Sequence, residues 1–145
     1  MRDERTLLID TWGWIVIHNQ REERHREVKS FYRNFRLRGG MIYTTDYVLD
    51  ETLTLLFRRL PSDLAAEAIH FLDLAINQGY LNLVWISPEQ FEAAKQLRLQ
   101  FRDKPLISFT DLTSIAVMKE LGINWILTED DHFIKIGLNL QKKPT

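Results

Sequence analysis

The chain has 145 residues, 45% of them hydrophobic, which suffices for one globular domain spanning residues 1–145 with a buried core. Charged residues at 27% and aromatics at 11% exclude a disordered composition, and the absence of cysteine excludes disulfides, thiolate chemistry and Cys-based zinc sites. A formal net charge of -1 argues against a constitutive polyanion binder, yet is compatible with a nucleic-acid enzyme whose acids are neutralised by bound metal.

Thr6 to Ile9 is a short apolar run, the first expected strand, with Asp10 at its end and a helix-like stretch, WGWIVI, behind Thr11. Residues 21–38 are highly charged, with Val28, Phe31, Tyr32 and Phe35 at three- and four-residue steps, which predicts an amphipathic helix stopped by Gly39-Gly40. MIYTT (41–45) reads as a second strand and Asp46 to about Arg59 as a helix. Pro61 breaks that helix, and Ser62 is placed to cap the next, which runs to about Gln78. LNLVWI (81–86) is the third expected strand. SPEQ (87–90) is a capping-box pattern opening a helix to about Phe101. A polar connector with Asp103 and Pro105 leads to a helix from about Thr110 to Leu121, closed by Gly122. Asn124 to Leu127 is a fourth strand, and a weak fifth falls in the last ten residues. Strands alternating with long helices predict an α/β domain whose parallel sheet is covered on both faces. No apolar run approaches the ~20 residues of a membrane span, and MRDERTLLID turns apolar too briefly for a signal peptide, so a soluble cytoplasmic protein is expected.

In open parallel sheets ligands collect beyond the carboxyl ends of the strands, and acids stand there repeatedly. Asp10 follows the first strand; Asp46, Asp50 and Glu51 follow the second; Glu129, Asp130 and Asp131 follow the fourth; Asp111 stands where a helix begins. Asp10 and Asp46 are either helix N-caps or site residues, and Glu51 either a solvated acid or a member of the cluster. Asp111 projects beside Ile115 and Met118 and opposite Thr113 and Glu120, so its carboxylate is expected on the buried side, where it needs a partner. Hard oxygen ligands without patterned histidine suit Mg²⁺ or Mn²⁺, and the usual work of such a cluster is phosphodiester hydrolysis.

The order LLID ending at Asp10, TTDYVLDE ending at Glu51, SFTD ending at Asp111 and ILTED ending at Asp130 resembles the PIN-domain ribonucleases, particularly the VapC-like toxins of bacterial toxin–antitoxin pairs. The resemblance covers essentially the whole chain. It implies a PIN-like three-layer α/β/α fold around a mostly parallel sheet of four or five strands. It also implies a metal-dependent endoribonuclease in which Asp10, Glu51, Asp111 and Asp130 bind Mg²⁺ or Mn²⁺ and carry catalysis. The last motif of the family, T-x-D-x-x-F, is met by Thr128, Asp130 and Phe133, which selects Asp130 and leaves Glu129 and Asp131 as turn residues. Thr11, Ser108 and Thr128 are expected to orient carboxylates, and Asp103 stays outside the ligand set. The implied partners are an RNA substrate, a cognate antitoxin and a second copy in a homodimer, with no membrane.

Two neighbouring readings fall away. A haloacid-dehalogenase phosphatase needs a second Asp where Trp12 stands, and a receiver domain needs paired acids and a late lysine. The surviving alternative is a PIN fold that binds RNA or protein without turnover. Trp12 and Trp14 are either core or a stacking surface beside the site. Arg21, Arg24, Arg26, Lys29, Arg33, Arg36 and Arg38 form either a solvated face or a contact for an RNA backbone or an antitoxin segment.

Overall fold

Leu7, Leu8 and Ile9 are all inaccessible to solvent, so the strand that carries them must be covered on both faces. The computed structural model, which describes residues 3–144, places that strand, β1 (Asp3–Ile9), at the centre of a five-stranded sheet. Its companions are β2 (Met41–Thr45), β3 (Asn82–Val84), β4 (Ile123–Leu127) and β5 (Gln141–Lys143), in the order β3-β2-β1-β4-β5, with every neighbouring pair parallel. The helices are α1 (Thr11–His18), α2 (His25–Leu37), α3 (Asp46–Arg59), α4 (Ser62–Asn77), α5 (Pro88–Gln100), α6 (Phe109–Leu121) and α7 (His132–Lys135). Among the described residues no helix is long and apolar enough to cross a membrane.

The strand period of two sends alternate side chains of β1 into two cores. Leu7 and Ile9 pack with Trp14 of α1, Phe35 of α2, Val48 of α3 and Leu72 of α4. Leu8 packs on the other side with Ala94 of α5, Ile115 and Met118 of α6, and Phe133 of α7. The three-layer α/β/α arrangement follows. Gly13 lets the first turn of α1 lie against the sheet: a Cβ there would stand 2.9 Å from Ile9 Cγ2 and 3.0 Å from Leu127 Cδ2.

Several expected boundaries shift for local reasons. Strand β3 stops at Val84 rather than Ile86, because the Ile86 amide turns to the Asp46 carboxylate at 2.8 Å instead of joining the ladder. Asp46 is thereby a structural acid in the first turn of α3, and Thr45 caps that helix by accepting from the Val48 amide. Ser62 does not cap α4. Pro61 holds the cap position with its carbonyl accepting from the Ala65 amide, and Ser62 is already helical. The predicted helix at 21–38 begins only at His25, after a turn. Ser87 and Gln90 make both bonds of the expected capping box, and Gly122 closes α6 in the left-handed conformation at φ 70.

The strand order fixes where a site forms. From β1 the chain steps outward to β2 and β3, then returns to the other side of β1 for β4 and β5. The reversal lies between β1 and β4, and at such a switch point the crevice lies outside the carboxyl ends of the strands.

Candidate active site

Residues 10 and 128 follow the last residues of β1 and β4, so they face each other across that crevice. The Thr128 hydroxyl donates to Asp10 Oδ2 at 2.9 Å and accepts the Asp130 amide at 3.1 Å. One buried hydroxyl thus fixes two of the acids relative to each other. Asp10 occupies the N-cap position of α1, but its side chain makes no capping bond. Its carboxyl is pushed from 3.8 up to about 7 by burial first and by Asp111 second, with the Thr11 amide and Thr128 opposing and Glu51 adding to the rise.

Asp111 enters from the opposite layer. Ser108 and Asp111 form a capping box at the start of α6: the Asp111 amide donates to Ser108 Oγ at 3.0 Å, and the Ser108 amide donates to Asp111 Oδ2 at 3.1 Å. Burial raises the Asp111 carboxyl, Asp130 and Glu51 raise it further, and the bonds from Ser108 oppose the shift. Glu51 stands in the second turn of α3, exposed, and lines the same pocket, whereas its neighbour Asp50 does not. The four acids expected from the sequence, with Thr11, Ser108 and Thr128, therefore line one pocket of about 480 Å³. Thr11 contributes to Asp10 through its amide, because its hydroxyl is occupied between Val48 O at 3.3 Å and the Thr52 hydroxyl at 3.4 Å.

The three adjacent acids after β4 part company. Asp131 points to Lys142, 2.6 Å away, and is held below the usual carboxylate range by that partner. Glu129 lines the pocket, with the Arg24 guanidinium 3.6 Å from its carboxylate. Asp130 Oδ1 accepts the His132 amide at 2.8 Å. His132 Nδ1 lies 3.0 Å from the same oxygen without the alignment of a hydrogen bond, so proximity alone relates them.

Sequence reasoning missed three residues here. His132 brings a ring nitrogen within 4.8 Å of carboxylate oxygens of Asp111 and Asp130, a set able to hold a metal ion. Its only signal was the two-residue step from Asp130. Arg59 and Leu106 line the pocket from the end of α3 and from the loop before α6, and no local pattern marks either. Trp14 is core, wholly buried, with its indole N–H donating to Thr44 Oγ1 at 3.2 Å. Trp12 lines the pocket, with the Arg24 guanidinium 5.4 Å from its ring centre. Asp103 is exposed and borders a different pocket.

Residues 7–138 match the PIN domain family. The chain is 28% identical over 129 residues to a VapC ribonuclease of Archaeoglobus fulgidus, covering 87% of this chain and 78% of the relative. It is 28% identical over 133 residues to the 23S rRNA-specific endonuclease VapC20 of Mycobacterium tuberculosis, covering 90% of this chain and 94% of the relative. The crystal structure of Mycobacterium tuberculosis VapC20, described as a sarcin-ricin loop cleaving toxin, matches with a TM-score of 0.74 at 27% identity, covering 92% of this chain and 98% of that one.

Proposed function

The chain belongs to the PIN-domain family, and from that membership we propose that it is a metal-dependent endoribonuclease acting through Asp10, Glu51, Asp111 and Asp130. The observation that carries this reading is Asp10: a residue 8% exposed, without a cation partner among the described residues and without a capping bond, its carboxyl pushed to about 7 in a pocket with four further acids. A purely structural acid in that position would be costly to keep ionised, and a bound cation removes the cost.

The donor set fits a divalent ion. Carboxylate oxygens suit Mg²⁺ or Mn²⁺, and the His132 imidazole beside Asp111 and Asp130 favours Mn²⁺ over the harder Mg²⁺. When bound, such an ion lowers the pKa of a coordinated water and offsets the negative charge growing on the phosphate. The chain itself supplies the geometry. Thr128 locks Asp10 and Asp130 in register, and Ser108 aims Asp111 across the crevice. Burial of Asp10 keeps bulk water from its carboxyl and strengthens the charge interactions that this group makes.

The VapC20 relative is named for 23S rRNA, so a folded ribosomal RNA is the first substrate to offer. The solved relative is described as a toxin, which supports an antitoxin partner for this chain, sought in the neighbouring reading frame.

Purified protein is expected to cleave 23S rRNA with Mn²⁺ or Mg²⁺ and not in excess EDTA. Asp130→Asn should lose about a hundredfold or more in rate, since even groups behind a metal ligand matter by 10–100-fold. Asp131→Asn should stay near the parent, its partner being Lys142. Undiminished cleavage in EDTA, or loss in the Asp131 variant with retention in the Asp130 variant, overturns the reading.

A further inference from the structure

The pocket presents a polyanion with Asp10, Glu51, Asp111, Glu129 and Asp130, so something must hold the strand against their repulsion. Among the described residues lining it, Arg59 is the one cation. Glu51, Leu55 and Arg59 all line the pocket and follow one another at four-residue steps on α3, a single stripe along one helix face. The eight residue steps from Glu51 to Arg59 span about 12 Å of helix, so Arg59 stands toward the pocket's edge rather than over the acids. Its guanidinium makes no hydrogen bond, ion pair or ring contact among the described residues. The other cation bordering the acids, Arg24, is already engaged by both oxygens of Glu27 at 2.8 and 3.0 Å.

Arg59 also lines the adjoining pocket, together with Glu67 and with Arg21, whose side chain likewise makes no hydrogen bond, ion pair or ring contact among the described residues. The two pockets meet at Arg59. Arg26, Lys29 and Arg33 line a further pocket on α2 that shares no residue with the acid site and meets the adjoining pocket at Gln20 alone.

We propose that Arg59, with Arg21 behind it, binds backbone phosphates flanking the scissile bond and seats the RNA strand along a path from the acid pocket into its neighbour. Arg59 is then a positioning residue. This inference rests on the nuclease reading above. The structural alternative is that Arg59 merely complements the dipole at the end of α3, where it stands in the last turn.

Phosphate contacts carry no sequence information, so a dye-labelled, mixed-sequence single-stranded RNA 20-mer is a sufficient probe, with Ca²⁺ in place of Mg²⁺ or Mn²⁺. Arg59→Ala is expected to weaken binding about tenfold, as loss of a charged hydrogen bond does, and to reduce the slope of log Kd against log salt by about 0.7. Arg21→Ala should act in the same direction, and Arg59→Lys should restore most of the slope. Arg33→Ala removes an equal charge from the pocket on α2 and should leave Kd and slope at the parent's values. If wild type cuts 23S rRNA while Arg59→Ala keeps the parent's Kd and slope and only melts lower, Arg59 is a helix-end cation and this inference alone fails. If Arg33→Ala lowers the slope as much as Arg59→Ala, the effect is general charge and the path is overturned. A wild type that neither binds nor cuts RNA sinks the nuclease reading as well.

Discussion

Asp10 stands where an N-cap would, yet its Oδ2 accepts from Thr128, 118 residues away. Residue type and position alone could not separate those roles, because a cap and a ligand both ask for Asp after a strand. The same limit hid His132, whose relation to Asp130 appears only once the turn is folded. Burial gives Asp10 a measurable signature. Its carboxyl is raised from 3.8 to about 7, so the native protein holds a proton that the unfolded chain has already released. The associated stability is fully present below the unfolded value and is lost as pH rises through about 7. Asp111, also raised, acts in the same sense. His18, lowered by burial, acts oppositely, its cost setting in around its ordinary 6.5, where the unfolded imidazole is already half protonated. Between pH 8 and 6.5 Asp10 should contribute about 0.8 kcal/mol, of which His18 takes back up to about 0.4 kcal/mol, so the metal-free protein should gain roughly 1–2 °C in Tm. Thermal melts in EDTA measure this, and Asp10→Asn should remove most of the gain. A wild-type Tm that is flat or falling over this range contradicts the burial of an isolated carboxyl.

At the scale of elements, the legible features were those with a local cause. SPEQ is recognisable because its bonds span three residues, and the strand MIYTT and the helix Asp46–Arg59 sit as read. Helix α6 resisted for the opposite reason. Thr113, expected opposite the apolar stripe, is wholly buried, because α6 packs against the sheet, α5 and α3, and a helix covered on several sides shows no clean period. Helix α7, four residues long, is too short for any periodicity. Asp111, expected on the buried side and in need of a partner, finds one in its own capping box: one carboxylate oxygen accepts the Ser108 amide while the group faces the other acids. Two matched boxes allow that double duty to be tested. Ser87→Ala and Ser108→Ala should each lower stability by about 1 kcal/mol. Only Ser108→Ala should also weaken Mn²⁺ binding, by up to about tenfold, because losing the hydroxyl that holds the Asp111 amide loosens the turn in which the Ser108 amide holds the Asp111 carboxylate. Equal Mn²⁺ affinities in the two variants, measured by calorimetry, would reduce Ser108 to a cap.

The whole molecule brings together residues 10, 51, 111 and 130 through one topological fact, the reversal of strand order between β1 and β4. Alternation of strand and helix was visible because buried parallel strands read as short apolar runs. Strand order was not, since no local pattern tells the chain on which side of β1 to return. The consequence is global: the acids exist as a cluster only in the folded state, so folding and metal binding are linked by RT ln(1 + [L]/Kd). With Mn²⁺ at about 100 times Kd the linkage is worth roughly 2.7 kcal/mol, or about 5–10 °C in a domain of this size. Asp10→Asn separates this from ordinary stabilisation more cleanly than Asp111→Asn, because Asp10 has no capping bond to lose and an amide oxygen still accepts from Thr128. In EDTA at pH 8 the Asn variant should melt above wild type, having shed a buried charge that burial and Asp111 both oppose. On adding Mn²⁺ wild type should overtake it, while the variant moves by no more than a degree or two. If wild type ignores Mn²⁺ and the variant melts lower in EDTA, then Asp10 is a structural acid, and the charge cluster at the switch point has some purpose other than holding a cation.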